Sequence, residues 1–450
     1  MKQAIQKKLS DSPLARWSVL GIVSITMLCG YFITDVMAPL QSMLETNFGW
    51  DGTEYGLFTS SYGWFNVTLF MLIIGGIILD KKGMRFTGIL ACCLMLIGCS
   101  VKYFAISPFF TFEGYVWGIR MQILTASIGF AIFGVGVEIA GITVTKVLAR
   151  WFKGKEIALA MGLQVAMARI GTALALSVSV PVARYFNEIS TPVLFGLALL
   201  CIGLIAFLVF CVMDRRLDAS IKDIKEEAEE SFRLSDIMYV IKNKGFWLIA
   251  ILCVLFYSAV FPFLKYATSL MINKYGVEES IAGVIPSLLP FGTILLTPLF
   301  GGLYDKKGKG ASIMLFGSFL LIIVHALFAL PLLNVWWFAA LIMVILGIAF
   351  SLVPSAMWPS VPKIIPHNKL GTAYATIFWV QNIGLSGVPM LIGWVLKTYC
   401  QTENPDTPYD YTIPMIIFTC FGILAIFVAF LLKVEDKKKG YGLEMPNIKQ

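Results

Sequence analysis

Residues 75–85 read GGIILDKKGMR, and residues 301–310 read GGLYDKKGKG. Both segments contain Asp-Lys-Lys-Gly, and both have a glycine four residues before the aspartate. The two copies lie half of the 450-residue chain apart. Because recurrence at a fixed offset indicates an internal duplication, the sequence predicts two halves with the same topology.

The composition around these copies is that of a membrane protein. Hydrophobic residues make up 58% of the chain and charged residues 14%, and the mean hydropathy is +0.81. A soluble domain has about 25% charged residues, so we predict an all-α polytopic membrane protein with twelve transmembrane helices. The predicted helices cover residues 17–40, 55–79, 86–106, 117–149, 155–186, 190–213, 244–273, 279–304, 311–330, 335–362, 368–397 and 411–433.

The basic residues predict the orientation. The net charge is +8, but Lys and Arg occur in short clusters between apolar runs, which indicates topology and argues against nucleic-acid binding. Placing both termini in the cytoplasm puts most of the 35 Lys and Arg on the inside. The exceptions are Lys102, Arg120, Arg184, Lys274 and Lys397, assigned to outer loops, and Arg169 and Lys265, assigned to spans.

The longest connection divides the chain into two sets of six spans. The predicted organisation is a cytoplasmic N-terminal segment at 1–16, a six-helix bundle at 17–213, a cytoplasmic central loop at 214–243, a second six-helix bundle at 244–433 and a cytoplasmic tail at 434–450. Within the loop, residues 235–244 are interpreted either as a short interfacial helix or as a solvated linker. In the helical interpretation Ile237, Met238 and Ile241 face lipid.

One carboxylate and one guanidinium interrupt the fourth and fifth apolar runs. If the turn between these runs centres near Lys153, Glu138 and Arg169 both lie roughly 22–24 Å along antiparallel helices. A lone charge in mid-membrane costs about 2.5–3.5 kcal/mol, so two charges at one depth predict a functional site. The alternative is a structural ion pair that clamps the two helices.

The repeated segments resemble the loop motif of the major facilitator superfamily, and this resemblance covers the whole chain. It implies that Gly76 and Gly301 allow a neighbouring helix to pack closely, and that Gly83 and Gly308 reverse the backbone. It also implies that Asp80 and Asp305 hold the cytoplasmic gate. The predicted gating-motif residues are Gly76, Asp80, Lys81, Gly83 and Arg85 in the first copy and Gly301, Asp305, Lys306 and Gly308 in the second.

A more specific resemblance is to the lysosomal dipeptide uniporters of this superfamily and their bacterial relatives. It rests on residues 30–41, 150–156, 162–171, 259–263, 357–361 and 370–384. The resemblance implies that Glu138 and Arg169 hold the two ends of a dipeptide. Arg169 offers a planar fork for the carboxylate, and Glu138 offers a counter-charge for the ammonium. In the empty protein the two side chains could pair with each other, and the substrate would insert between them.

Two further charges accompany this site. Asp35, in the first span, could help to hold the ammonium, carry a proton or accept backbone hydrogen bonds at a helix break. Lys265, in the seventh span, is a departure from the uniporters. It could pair with Asp35, contact the substrate carboxylate or snorkel to the outer interface, and its position near Lys274 favours snorkelling.

Several uncharged residues are candidates for the lining of a cavity. Among them, Tyr257, Trp358 and Gln381 rank highest because they lie in or next to the matched segments. His325, in the ninth span, could relay protons, but a lone histidine in an apolar helix favours a hydrogen-bonded structural role. The other candidates are Tyr31, Tyr62, Trp64, Asn66, Gln164 and Asn382.

The sequence therefore predicts an alternating-access carrier of dipeptides. It contains no catalytic constellation, phosphate-binding loop or metal-ligand cluster, so we expect no enzymatic activity, cofactor or metal. Uniport is favoured because Asp35 lacks the first-span arginine of proton-coupled peptide transporters. The alternative is an organic-anion carrier in which Arg169 and Lys265 clamp the anion, with possible proton coupling. We expect a monomer in a bacterial cytoplasmic membrane, rather than the lysosome, and leave an accessory subunit open.

Overall fold

The computed structural model describes residues 9–152, 155–221, 234–331, 333–366, 369–405 and 407–446. These residues are almost entirely α-helical, with one short hairpin formed by β1 (Tyr115–Val116) and β2 (Ile119–Arg120). The helices of the first half are α1 (Pro13–Asp35), α2 (Gln41–Phe48), α3 (Gly52–Ser60), α4 (Trp64–Thr68), α5 (Met71–Ile106), α6 (Met121–Trp151), α7 (Ile157–Tyr185) and α8 (Thr191–Ile221). Those that follow are α9 (Leu234–Ile241), α10 (Lys244–Tyr275), α11 (Glu279–Ala282), α12 (Val284–Lys307), α13 (Gly310–Ala329), α14 (Trp336–Ile364), α15 (Leu370–Tyr399) and α16 (Thr412–Lys439).

Eleven helical segments in the described residues are long and apolar enough to cross a membrane, with α11 and α12 counted as one. The predicted run 55–79 is not a continuous helix. It comprises α3, a 3-10 turn at Ser61–Gly63, α4 and the first part of α5. Helix α5 is kinked at Gly83, where the backbone is not helical, and beyond the kink it forms the predicted third span. The second span is therefore broken, which a count of apolar runs did not predict.

Local chemistry explains the break in the second span. The hydroxyls of Thr59, Ser60 and Ser61 donate to backbone carbonyls of the preceding turn, and such bonds compete with regular helix geometry. Further along, Phe70 adopts a left-handed backbone conformation with φ of 53°. Thr59, Ser60 and Ser61 are all buried, so the break places polar side chains inside the protein.

On the side predicted to be outside, α3 contacts α15 without intervening side chains. A Cβ added to Gly393 would lie 2.2 Å from the carbonyl oxygen of Gly52. A Cβ added to Gly283, before α12, would lie 1.9 Å from the carbonyl oxygen of Leu176 in α7. Small residues allow membrane helices to approach this closely. The two halves of the chain are therefore in direct backbone contact here.

Salt bridges reinforce this closure. The Lys397 ammonium lies 2.6 Å from a carboxylate oxygen of Asp51. The Arg184 guanidinium lies 2.7 Å from Glu279 and 3.5 Å from Glu278. Each bridge joins the first half of the chain to the second. The structure is thus closed on the predicted outer side.

The gating motif of the first half lies in an ionic network on the predicted cytoplasmic side. Asp80 accepts from Lys146 at 2.8 Å, and Arg85 donates to Asp218 at 2.6 Å. Asp214, one turn before Asp218, also lies 3.4 Å from Arg85. Both aspartates belong to α8, which extends to Ile221 and therefore continues beyond the predicted loop boundary at 214.

The second copy of the motif is covered by the C-terminal segment. Lys309 and Gly310 donate backbone hydrogen bonds to the carbonyls of Glu444 and Leu443. The Glu444 carboxylate accepts from the Ser312 backbone N–H at 2.9 Å, at the beginning of α13. The tail thus fixes the turn between α12 and α13.

The four motif glycines form two pairs that compare differently with the sequence predictions. Gly83 and Gly308 have φ of 80° and 68°, a backbone conformation that favours glycine, and their role in the gating motif stays a prediction. The expected close packing at Gly76 and Gly301 is wrong for this conformation, because a Cβ added at either position meets nothing within 4 Å. The neighbouring Gly75 makes the close contact instead, with Ile139.

The short helix predicted within the central loop is present as α9, one residue earlier than expected. Met238 and Ile241 are exposed on it, as the interfacial interpretation requires. The side chain of Ile237, and residues 222–233 of the loop, lie outside the described residues.

Candidate functional site

A polar cavity lies between the two halves of the chain. The space not filled by atoms in and around it is about 560 Å³. Both halves supply its walls, and most of its charged and polar groups come from the first half. The lining residues are Tyr31, Thr34, Asp35, Thr59, Tyr62, Glu138, Phe261, Pro262, Lys265, Gln381, Leu385 and Pro389.

Glu138 reaches the cavity from the middle of α6. Its carboxylate accepts a hydrogen bond from the Tyr62 hydroxyl at 2.8 Å. Tyr62 belongs to the 3-10 turn of the broken second span, and its backbone lies directly against α6 at Gly134, where an added Cβ would be 2.1 Å from the Tyr62 carbonyl oxygen. The break and the glycine together bring the tyrosine to the carboxylate.

Arg169 lies on α7 behind the aromatic wall of the cavity. Its guanidinium carbon is 5.9 Å from the ring centroid of Tyr31, 5.3 Å from Phe261 and 4.9 Å from Phe350. A cation over aromatic faces is stabilised by their quadrupoles. Helices α1 and α7 touch at Gly171, where an added Cβ would be 2.3 Å from the carbonyl oxygen of Leu28. This contact explains why Tyr31 lies next to Arg169.

Glu138 and Arg169 are not paired in this structure. Among the described residues, no hydrogen bond or salt bridge within 4.0 Å joins them, so the expected pairing in the empty protein is not observed. Tyr31 connects the two positions, because it lines the cavity beside Glu138 and contacts Arg169. The two charges thus flank one aromatic side chain.

A second pair of charges lies in the same cavity, and we call Asp35 and Lys265 the outer charge pair. The Lys265 ammonium is 2.5 Å from an oxygen of Asp35 and 2.6 Å from the carbonyl oxygen of Thr34. Only 12% of the Lys265 side chain and 7% of the Asp35 side chain are exposed. The expectation that Lys265 snorkels to the outer interface is therefore wrong, because a buried carboxylate holds it inside.

Lys102 is a buried charge that the sequence interpretation misplaced in an outer loop. It lies inside α5 and is only 1% exposed, and its ammonium donates to the carbonyl of Ile33 at 3.0 Å. The ammonium also lies 4.7 Å from the Phe130 ring centroid. Lys102 lies three residues after Cys99 and three before Ala105, and both of these residues are buried. This spacing places Lys102 on a core-facing stripe of the helix, and it could have been recognised in the sequence.

Both lysines bind the carboxyl end of α1. The helix ends at Asp35, four residues before Pro39, which cannot continue it. Carbonyls in the last turn of a helix lack intrahelical partners and carry partial negative charge. Lys102 from the first half and Lys265 from the second supply donors to these carbonyls.

The remaining candidates are only partly brought together. Gln381 lines the cavity, whereas Tyr257 and Trp358 bond to each other at 3.0 Å and are not among its lining residues. Tyr257 contacts Phe261 and Phe350, the rings that face Arg169. Of the other candidates, Tyr31 and Tyr62 line the cavity, and Trp64, Asn66, Gln164 and Asn382 do not.

His325 has the structural role that the sequence favoured. Its ring is fully buried between Phe263 and Phe418, and Nε2 lies 2.9 Å from the carbonyl oxygen of Ala259. This carbonyl belongs to the turn of α10 that precedes Pro262, where a proline disturbs helical hydrogen bonding. The histidine thus contacts the segment of α10 that contains the proline.

The fold and the inter-half cavity are those of a membrane transporter, and comparison with known proteins agrees. The chain belongs to the Major Facilitator Superfamily, whose family model matches residues 20–389. It is an integral, multi-pass membrane protein.

Individual relatives show which members of the superfamily this chain resembles. The chain is 29% identical over 449 residues to the lysosomal dipeptide transporter MFSD1 of Bos taurus, covering 97% of this chain and 90% of that protein. The chain is 28% identical over 378 residues to the lysosomal dipeptide transporter MFSD1 of Homo sapiens, covering 82% of this chain and 77% of that protein. A crystal structure of the nucleoside transporter NupG superposes with a TM-score of 0.69 at 16% identity, covering 93% of this chain and 99% of that one. These proteins are transporters, not enzymes.

Proposed function

We propose that this chain carries dipeptides across a membrane by alternating access. The observation that carries the proposal is the placement of Glu138 and Arg169, two opposite charges that flank Tyr31 and have no ion pair with each other in the described structure. Relatives at 28–29% identity are named dipeptide transporters, which supports this substrate class.

A dipeptide is a zwitterion whose ends are constant and whose side chains vary. In the proposed complex Arg169 binds the carboxylate through a bidentate fork, and Glu138 binds the ammonium. Tyr62 orients the Glu138 carboxylate through its hydroxyl. The apolar walls at Phe261, Pro262 and Leu385 leave the substrate side chains without specific polar contacts.

Transport would proceed by rocking of two bundles, residues 17–213 and 244–433, around this cavity. We infer twelve spans with a broken second span and both termini in the cytoplasm. The described conformation is then closed to the outside. In the opposite conformation the cytoplasmic ends approach, and the open space at Gly76 and Gly301 would accept the neighbouring helices.

In that transition Asp80 and Asp305, with Lys81, Arg85 and Lys306, would exchange contacts at the cytoplasmic gate. Gln381, Tyr257 and Trp358 would contribute to the wall of the site in the second half. Of these three residues, Gln381 is the one that lines the cavity. We further propose uniport by a monomer in a bacterial cytoplasmic membrane.

The test is uptake of a labelled dipeptide into proteoliposomes, with and without an inward proton gradient. We expect saturable uptake that the gradient does not stimulate. Arg169→Ala should abolish it, whereas Arg216→Ala, which removes an exposed arginine, should leave it unchanged. Absence of dipeptide uptake by protein of normal thermal stability would contradict the proposal.

A further inference from the structure

The outer charge pair connects the two halves of the chain. Asp35 ends α1 in the first half, and Lys265 lies on α10 in the second. Both line the cavity that contains Glu138. They therefore form a carboxylate–ammonium pair inside the cavity, oppositely charged like Glu138 and Arg169 but bonded across the boundary between the halves.

The contacts of this pair divide unequally between the halves. Asp35 also accepts from the Thr172 hydroxyl at 2.8 Å, within the first half. Lys265, in contrast, is held by the first half alone: its ammonium donates to Asp35 and Thr34, and its carbonyl accepts from Tyr55 at 2.8 Å. Opening the outer side separates α1 from α10. Asp35 would keep its threonine and stay near the Lys102 ammonium of its own half, while each member of the pair would lose the opposite charge bonded to it.

Separating Asp35 from Lys265 removes the opposite charge bonded to each side chain, which is unfavourable unless water or another charged group replaces it. A zwitterion can replace both lost partners at once. We propose that Asp35 and Lys265 form a second dipeptide-binding site in the outward-open conformation, with the ammonium on Asp35 and the carboxylate on Lys265. This inference rests on the proposed function and adds a site nearer the outside than Glu138 and Arg169.

The site has a kinetic consequence. As the outer side closes, Asp35 and Lys265 bind each other again and release the dipeptide toward Glu138 and Arg169. The loaded protein can reopen by returning the dipeptide to the outer pair, whereas the empty protein must separate the pair without a replacement. Reorientation of the empty protein is therefore the slow step, and exchange of dipeptides exceeds net uptake.

The experiment compares two initial rates in proteoliposomes: uptake of labelled dipeptide into empty vesicles and into vesicles preloaded with unlabelled dipeptide. For the parent chain we expect preloading to accelerate uptake about fivefold or more, because substrate shifts the conformational equilibrium. In the double variant Asp35→Asn/Lys265→Met the two rates should become nearly equal, and KM should rise. Lys265→Arg keeps the charge and should retain the acceleration.

Two controls separate a binding site from a general loosening of the closed state. Lys274→Met removes another lysine of α10, one whose ammonium binds the carbonyls of Phe328 and Leu330 within the second half. Asp51→Asn/Lys397→Met removes a more exposed ion pair between the halves. Both controls should keep the parental ratio of rates. The same loss in the Asp51/Lys397 variant would overturn the proposal.

The experiment distinguishes failure of the proposed function from failure of the outer site. A parent chain that takes up no dipeptide contradicts the proposed function itself. A parent that transports dipeptides, with the same ratio of rates and the same KM in the Asp35/Lys265 double variant, contradicts only the outer site. If the double variant does not fold, Lys265→Met alone must lower the ratio while Lys265→Arg preserves it, and equal ratios in these two variants overturn the inference.

Discussion

At the residue scale, two tyrosines organise the charges of the central site. Tyr62 donates to Glu138, and Tyr31 lies between this carboxylate and Arg169. Hydrogen bonds to charged groups contribute more than neutral ones, typically about 1.5–3 kcal/mol. The position of the Glu138 carboxylate therefore depends on a neighbour from the broken second span.

Tyr62→Phe tests this dependence. The substitution keeps the ring and removes the donor to Glu138, so we expect KM for dipeptides to rise about tenfold with a smaller change in the maximal rate. Tyr275→Phe is the matched control, because that buried hydroxyl has no partner in the described structure and lies outside the cavity lining. Equal KM values for the parent and Tyr62→Phe would contradict the proposed orienting role.

The sequence indicated which charges to consider better than it indicated their contacts. Glu138 and Arg169 could be proposed as site residues because charges are rare in apolar runs and the turn between these two is short. Pairing with Asp35 was one of three alternatives for Lys265, and the sequence could not select it because Asp35 is distant in the chain and no local pattern connects the two residues. Lys102 was misplaced because it lies near the end of an apolar run, where a lysine usually reaches the interface, although its spacing from the buried Cys99 and Ala105 places it on a core-facing stripe.

At the element scale, glycine contacts determine how closely the halves approach. Helices α3 and α15 touch through Gly52, Gly56 and Gly393 on the predicted outer side. The long apolar runs predicted most of the long helices, but they did not predict the break in the second span. That break depends on consecutive hydroxyl side chains and on contacts made only in the folded protein.

Gly393→Ala should disfavour closure of the outer side. The added methyl group would lie 2.2 Å from a backbone oxygen, which cannot move aside as a side chain can. We expect cysteines introduced into the outer half of the cavity to react faster with a membrane-impermeant thiol reagent. Gly387→Ala, on the same helix but with nothing within 4 Å, should react at the parental rate. Equal rates in both variants would show that this contact does not control closure.

Glu444→Ala should destabilise the second half. Its carboxylate accepts from the backbone N–H and hydroxyl of Ser312 at the beginning of α13. Loss of a comparable helix cap costs about 1 kcal/mol. We therefore expect a lower Tm in detergent, with dipeptide KM unchanged because the residue is far from the cavity lining. Glu403→Ala, in the exposed outer loop, is the control. A parental Tm for Glu444→Ala would contradict the capping role of the tail.

At the scale of the whole molecule, the outer closure includes a titratable group. Glu45, on α2 outside the spans, bonds with Gln41 and with Tyr409 of the second half. Burial raises the pKa of this carboxyl to about 7. Opening exposes it and returns its pKa toward the ordinary range. The closed conformation is therefore favoured when Glu45 is protonated, and this contribution is lost as the pH rises through about 7.

Outer accessibility should consequently increase with pH. Thiol labelling of the outer half, corrected for the reagent's own pH dependence, should be faster at about pH 8 than at about pH 6 in the parent chain. Glu45→Gln, which remains neutral, should reduce this difference. An unchanged pH dependence in the variant would contradict the role of Glu45.

The central claim is that Glu138 holds the substrate ammonium and Arg169 the substrate carboxylate. The most direct measurement is the inhibition of transport by a free dipeptide, its N-acetylated form and its C-amidated form, in the parent, Glu138→Gln and Arg169→Lys. We predict that the parent discriminates against both blocked peptides. Glu138→Gln should lose mainly the discrimination against acetylation, because it removes the charge that binds the ammonium. Arg169→Lys should weaken mainly the discrimination against amidation, because lysine keeps the charge but lacks the planar fork that binds both carboxylate oxygens. Discrimination that survives unchanged in both variants would contradict the claim.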